Sequence, residues 1–242
     1  MFIDEFIDGE NKKPKKNLAV FIVIAVLAGL TAAVLIFNGK GLPFAQKIPS
    51  NATQPGLSAV DSGASALVQS ETNYLVFMRE EEILARDLYL EMHRLWGLSV
   101  FKSIAQEEQE HTDAMRSLLR VYGVPDPVQS NQVGKYVNGS LTGLHSALSQ
   151  QGQQSAQEAL KACALQEEIN MLDLTAASAV SSQPMIKDVY AELLRDSSNH
   201  LRSFAHALEV FGVRYQAVRL PQQTVDTLIH GPMDRGFMRR KN

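Results

Sequence analysis

Apolar residues recur every three or four positions in four long segments of this chain, and this spacing predicts four amphipathic helices. The predicted helices cover residues 71–96, 99–122, 155–183 and 184–211. Glycine follows the first, second and fourth of them, as is common where a helix ends. No segment shows the sustained alternation of a β-strand, so the pattern predicts an all-α fold.

The lengths of the connections predict how these helices pair. A short link joins the first helix to the second and another joins the third to the fourth, whereas a long segment with a short helix at 141–150 separates the two pairs. Two hairpins joined in this way are typical of an antiparallel four-helix bundle with one long crossover. We assign this bundle to residues 70–230, including a short helix at 222–229, and a basic C-terminal tail to residues 231–242.

A different pattern precedes the bundle. Residues 18–37 carry no charge, and as a helix they would be about 30 Å long, the thickness of the hydrocarbon core of a bilayer. Four lysines lie in residues 1–17, which predicts a cytoplasmic tail there. We therefore expect a single-pass anchor in the cell membrane, with the bundle on the extracytoplasmic side. A cleaved signal peptide is the alternative, but its apolar core is usually shorter. Residues 38–69, rich in Gly, Pro and Ser, predict a flexible linker.

Composition and charge exclude several classes of function. The net charge is −3 and basic residues form only short clusters, so nothing indicates a nucleic-acid partner. Cys163 is the single cysteine, which rules out an intrachain disulfide and zinc sites built from several cysteines.

Metal-ligand side chains interrupt the apolar stripe of each long predicted helix. They are Glu80, Glu81 and Glu82 on the first helix, the Glu-x-x-His pair Glu108 and His111 on the second, Glu167 and Glu168 on the third, and His200 on the fourth. Charges are rarely buried without a counter-charge, so their convergence predicts a carboxylate-bridged two-metal site inside the bundle. Iron or manganese suits such mixed carboxylate and imidazole ligands.

Each of these residues taken alone has a simpler interpretation. A Glu-x-x-His pair or a run of glutamates usually lies on a solvated helix face, and His200 alone would be a hydrogen-bonded histidine. Their joint occurrence on four apolar stripes favours a buried site. On the third helix Glu167 is favoured over Glu168, because Met171 and Leu174 follow it on the core face.

Several segments also resemble known proteins. EILARDLY at 82–89 and EEQEH at 107–111 are similar to the ligand motifs of rubrerythrin-type, ferritin-like proteins. More closely, MREEEILARDLYLEM, IAQEEQEH, GVPDP, EEINMLDL and SSNHLRSF resemble a ferritin-like family catalogued as domain of unknown function 2202, over residues 72–229. The resemblance implies a ferritin-like fold and the metal ligands Glu82, Glu108, His111, Glu167 and His200.

Two ligand positions remain open at this point. Glu81 competes with Glu82, since both touch the apolar stripe, and the rubrerythrin-like spacing favours Glu82. A second Glu-x-x-His pair ending at His200 would need a glutamate at position 197, where this chain has Ser197. Asp196 can substitute for it; otherwise the site has one carboxylate fewer than ordinary di-iron proteins.

These patterns together predict an oxidoreductase that acts on dioxygen or peroxide. We expect two iron ions as cofactor, with manganese as the alternative, and a small-molecule oxidant. A non-catalytic metal-binding or iron-buffering module is the second hypothesis, and a structural bundle without metal is the third. Analogy with ferritin-like bundles further suggests a homodimer.

Overall fold

The computed structural model describes residues 66–128 and 132–231, and every regular element within these two ranges is an α-helix. In chain order the helices are α1 Gln69–Trp96, α2 Ser99–Val121, α3 Gly139–Gly152, α4 Ala156–Val180, α5 Pro184–Val210 and α6 Gln222–His230. The prediction of an all-helical bundle is thus confirmed for the described part of the chain. The predicted cytoplasmic tail, membrane helix, nearly all of the linker and the basic tail from residue 232 lie outside the described residues.

None of the helices in residues 66–128 and 132–231 has the length and apolar character needed to cross a bilayer. Their ends are set by local chemistry that the sequence already shows. Gly97 stops α1 with a φ of 68°, a left-handed conformation that glycine adopts without strain. The Ser155 hydroxyl accepts a hydrogen bond from the Glu158 N–H at 3.1 Å and so caps α4. Pro184 occupies the first turn of α5, where no backbone donor is needed.

The α4 helix ends earlier than predicted, at Val180. Residues 181–183 leave the helix because the buried Glu71 carboxylate of α1 provides hydrogen-bond acceptors for them. Its Oε1 accepts from the Ser182 N–H at 2.6 Å and from the Ser181 hydroxyl at 3.3 Å. The remaining helix ends lie close to the predicted positions.

The helices form two hairpins that pack on each other. Residues 97–98 connect α1 to α2, and residues 181–183 connect α4 to α5, so the members of each pair run in opposite directions. The α1 helix packs on α4 and α2 packs on α5, which brings the two hairpins face to face. The α3 helix, within the crossing segment, packs on α1 and α4, and α6 packs on α5.

Two buried apolar layers lie along this interior. One contains side chains from all four long helices, among them Leu75, Met115, Leu174 and Leu193. The other contains an aromatic group in which the rings of Tyr89 and Phe204 meet edge to face at 5.1 Å and Phe101 lies 5.9 Å from Phe204. On α1, α2 and α5 most of the buried polar residues lie, in sequence, between a residue of the first layer and a residue of the second. The two layers therefore shield them from water.

Alanine at Gly152 should destabilise this packing. A Cβ atom there would lie 2.3 Å from the Met92 sulfur, and Met92 is fully buried. Overpacking of this kind costs about 1–3 kcal/mol in the free energy of unfolding. Denaturant unfolding of the Gly152→Ala variant measures this cost.

Gly143→Ala is the matched control, because Gly143 lies in the same helix and a Cβ atom there meets nothing within 4 Å. Replacing an exposed helical glycine with alanine should stabilise the protein by about 1 kcal/mol. If both substitutions changed the free energy of unfolding equally, the close approach of Gly152 to Met92 would not be a source of overpacking.

Candidate metal centre

Five of the predicted ligands come together in the interior, and they come from all four long helices. They are Glu82 of α1, Glu108 and His111 of α2, Glu167 of α4, and His200 of α5. All five are buried, with His111 the most exposed at 6%. They form two groups, one of Glu82, Glu108 and His111 and the other of Glu108, Glu167 and His200. Within each group one ligand atom per residue lies within 4.8 Å of the others, and Glu108 belongs to both.

The distances within these groups fit the coordination sphere of a cation. His111 Nδ1 lies 2.9 Å from Glu108 Oε2 and 3.4 Å from Glu82 Oε2. His200 Nδ1 lies 2.9 Å from Glu108 Oε1 and 3.4 Å from Glu167 Oε1. Two ligand atoms about 2.1 Å from one ion are roughly 3.0 Å apart at octahedral angles and roughly 3.4 Å apart at tetrahedral angles. The two oxygens of Glu108 therefore suit a bridge between two ions.

Four side-chain atoms of the five clustered residues are buried without a hydrogen-bond partner. They are Glu82 Oε2, Glu108 Oε1, Glu167 Oε2 and His200 Nδ1, one from each long helix. Although 2.9 Å separates Glu108 Oε1 from His200 Nδ1, the pair is not aligned as a hydrogen bond. A buried polar atom without a partner costs about 1–3 kcal/mol, and more when it is charged. The residues present thus fit a bound metal, which would give all four atoms a partner.

The electrostatics of the site also favour cations. Burial raises the pKa of Glu82 to about 7, and burial likewise raises the pKa of Glu167. Burial lowers the pKa of the His200 imidazole, but the Glu167 and Glu108 carboxylates outweigh it and hold that pKa well above its usual range. Glutamates whose pKa values are raised and a histidine whose pKa is raised all favour bound protons, which lower the net negative charge of the site, and metal ions can take over that role.

The same region of the chain matches a known family. Residues 71–232 match the family described as "Uncharacterized protein domain (DUF2202)". The chain belongs to this family. It is 36% identical over 171 residues to the uncharacterized protein MJ0754 of Methanocaldococcus jannaschii, which covers 71% of this chain and 92% of that protein.

A solved structure supports the architecture of the DUF2202 domain. The crystal structure of hypothetical protein MJ0754 from Methanococcus jannaschii is similar with a TM-score of 0.68 and 32% sequence identity. The similarity covers 76% of this chain and 100% of that chain. All five clustered residues lie inside the DUF2202 domain. The match of residues 71–232 confirms the resemblance to domain of unknown function 2202.

In the DUF2202 domain each clustered histidine contacts a carboxylate through its outer ring nitrogen. Nε2 of His200 lies 3.1 Å from Glu107 Oε2, and Nε2 of His111 lies 3.5 Å from Asp196 Oδ2. A carboxylate at Nε2 favours a proton on that nitrogen and leaves Nδ1 free to bind a metal. Asp196 thus lies on the outer side of His111, and neither three-residue group includes it.

The Glu107→Gln variant should bind metal about tenfold more weakly, because the amide lacks the charge that orients and polarises His200. Competition with a chelator of known affinity measures the effect. Glu110→Gln is the matched control, since Glu110 is exposed on the same helix. Equal affinities of the two variants would contradict an orienting role for Glu107.

Two further buried contacts fix the glutamates of the site. The Tyr89 hydroxyl donates a hydrogen bond to Glu167 Oε1 at 2.6 Å, and the Asn170 amide donates one to Glu82 Oε1 at 3.2 Å. Burial and the neighbouring Glu167 carboxylate raise the pKa of Tyr89 well above its usual range, so the phenol remains a donor. In both glutamates one oxygen is held by the protein and the other is left without a partner.

The other candidate carboxylates lie elsewhere. Glu81 is fully buried, but its Oε1 accepts from the Gln166 amide at 3.4 Å and neither group includes it. Glu168 accepts from the Tyr215 hydroxyl at 2.7 Å and from three successive backbone N–H groups, those of residues 218–220. Glu168 therefore holds the segment that precedes α6. The Ser197 hydroxyl donates to the Leu193 carbonyl at 3.0 Å. In the described part of the chain neither ligand group takes a carboxylate from α5.

Sequence reasoning does not single out Glu107 or Asn170. For Asn170 a signal exists, because it lies three residues after Glu167 and therefore on the same helix face. Glu107 has no such signal, since its neighbour Glu108 occupies the core face. Its contact with His200 depends on how α2 lies against α5.

Proposed function

We propose that this protein binds two metal ions in a ferritin-like bundle and acts as an oxidoreductase on dioxygen or peroxide. The observation that carries the proposal is the set of four buried ligand atoms without a hydrogen-bond partner, one from each long helix. Glu82, Glu108 and His111 would hold one ion, and Glu108, Glu167 and His200 the other.

Iron is the metal that we propose, with manganese as the alternative. The donor set consists of carboxylate oxygens and imidazole nitrogens without sulfur, which suits both of these ions. Cys163 is buried, but neither group includes it.

The arrangement supports redox chemistry with a small oxidant. Iron held by these residues would supply electron transfer to dioxygen or peroxide. The protein contributes three ligands per ion, fewer than the four to six that these metals usually take, so a small molecule can occupy the remaining positions. Tyr89 holds Glu167 in place by its hydrogen bond, and the apolar layers on either side keep bulk water out.

Rapid mixing of the anaerobic ferrous protein with oxygen or hydrogen peroxide tests this proposal. A fast optical change followed by repeated turnover with a chemical reductant supports an oxidoreductase. The Glu108→Ala/His111→Ala double variant is the control and should show neither. Failure of the intact protein to turn over would contradict the enzymatic proposal.

A non-catalytic metal-binding or iron-buffering module is the second candidate. Position 197 favours it, because ordinary di-iron sites have a carboxylate there and this chain has Ser197. The Ser197 hydroxyl donates to the Leu193 carbonyl of its own helix. In that case the ferrous protein should oxidise once, slowly and in proportion to the bound iron.

We also propose that residues 18–37 anchor the bundle to the cell membrane on its extracytoplasmic side. The support is the uncharged twenty-residue run and the lysines before it. Protease treatment of intact cells tests the orientation: the bundle should be released from the surface, and its protection in intact cells would contradict the proposal.

A further inference from the structure

A second polar feature lies outside the metal centre, between α1 and the segment that follows α2. It is a cavity of about 250 Å³. Four cationic side chains line it, and they are Arg79, Arg86, Arg116 and Lys135. Ile83, Pro127 and Val128 supply an aliphatic part of the wall. None of these residues belongs to the two metal-ligand groups.

Carboxylates near the cavity pair with its three arginines but not with its lysine. Asp87 pairs with Arg86 at 2.7 Å, and Asp126 lies 3.2 Å from Arg79 and 3.6 Å from Arg116. Asp113 lies 3.0 Å from Arg116. Lys135 forms no ion pair with any residue in the described part of the chain.

The remaining acid in the wall, Glu80, is occupied by the backbone. Its two oxygens accept hydrogen bonds from the N–H groups of Val137 and Asn138. Glu80 therefore fixes the crossing segment on α1 rather than pairing with the cations. Among the residues that line the cavity itself, four are cationic and two, Glu80 and Asp87, are acidic, so the wall carries more basic than acidic groups.

Arg79 shows where an anion would bind. Its side chain is only 1% exposed, and its Nε and Nη2 atoms both donate to the same oxygen of Asp126, at 3.2 Å each. Its Nη1 atom is buried and has no hydrogen-bond partner. Buried guanidinium donors are normally satisfied, and planar oxyanions are the acceptors that match them best. Arg79 is one of the residues that line the cavity, so a ligand oxygen that reaches Nη1 would satisfy this donor.

We propose that this cavity binds a small oxyanion through its carboxylate or phosphate group, with Arg79 and Lys135 as the main donors. Its volume is below the roughly 300 Å³ at which pockets for drug-sized molecules begin, so the ligand is no larger than a small metabolite. The aliphatic wall suits a ligand with a short carbon chain. The site is distinct from the metal centre and its existence does not depend on bound metal.

Titration calorimetry of the full chain with inorganic phosphate and, separately, with succinate tests the proposal. At least one of the two should bind saturably, and which of them binds tells whether a phosphate or a carboxylate group is recognised. The Lys135→Gln variant should bind about tenfold more weakly, as expected for loss of one charge-assisted contact. Lys135 is exposed and unpaired in the described part, so this change leaves the fold intact.

Two controls separate this site from the alternatives. Lys187→Gln removes an exposed lysine of α5 that does not line the cavity, and it should bind like the wild type. The Glu108→Ala/His111→Ala variant should also keep its affinity. The proposal is overturned if neither ligand binds, or if Lys135→Gln and Lys187→Gln behave alike. It is also overturned if binding disappears only in the Glu108→Ala/His111→Ala variant, which would place the anion at the metal centre.

Discussion

The Glu108→Ala variant should lose both metal ions, whereas the His111→Ala variant should lose one. Glu108 is the residue common to the two ligand groups, and each of its oxygens lies 2.9 Å from a different histidine. His111 belongs to one group alone, so Glu108, Glu167 and His200 can still hold the second ion in its absence. Elemental analysis of the purified variants measures the metal content.

The Glu110→Ala variant is the control for this experiment, because Glu110 is exposed in the same helix and belongs to neither group. It should keep the metal content of the wild type. Circular dichroism shows whether the variants remain helical. A folded Glu108→Ala protein with a normal metal content would contradict the bridging position of Glu108.

Alanine at the neighbouring residues Glu167 and Glu168 should produce opposite defects. Glu168 is fully buried and accepts hydrogen bonds from Tyr215 and from the backbone of residues 218–220, so its loss leaves several donors without an acceptor. We expect Glu168→Ala to lower the free energy of unfolding by about 3 kcal/mol and the melting temperature by roughly 6–12 °C, with metal content unchanged.

Glu167→Ala should instead reduce the metal content and change the melting of the metal-free protein much less. Removing this carboxylate takes one ligand from the group of Glu108, Glu167 and His200. It leaves the Tyr89 hydroxyl without its acceptor, but it also removes a buried carboxylate oxygen that has no hydrogen-bond partner, and the two effects on stability oppose each other. Thermal melts and elemental analysis on the same samples separate the two effects. Loss of metal in Glu168→Ala, together with a normal metal content in Glu167→Ala, would show that Glu168 and not Glu167 is the ligand.

The helices could be predicted from the sequence because the features that determine their positions lie close together in the chain. Apolar spacing, the glycine after α1 and the Ser155 cap each act within a few residues, and the observed ends of α1, α2 and α5 lie close to the predicted ones. The early end of α4 could not be predicted in this way. It depends on Glu71, which lies 111 residues before Ser182 in the chain.

Convergence of the five clustered residues could also be predicted, because each lies on the apolar stripe of its helix. Glu81 and Glu82 could not be separated by this reasoning, since both are fully buried. The difference between them comes from the rotation of α1 relative to its neighbours, which brings Glu82 to 3.4 Å from His111 and Glu81 to Gln166. The stripe did separate Glu167 from Glu168, but the role of Glu168 could not be predicted, because its backbone partners lie about 50 residues further along the chain.

The metal content of the full chain, purified without added metal, tests the central claim most directly. We predict about two ions of iron or manganese per chain, removable by a strong chelator and accompanied by a lower melting temperature once removed. A protein that contains no metal, takes up none when iron or manganese is supplied under reducing conditions, and melts identically with and without chelator would contradict the claim.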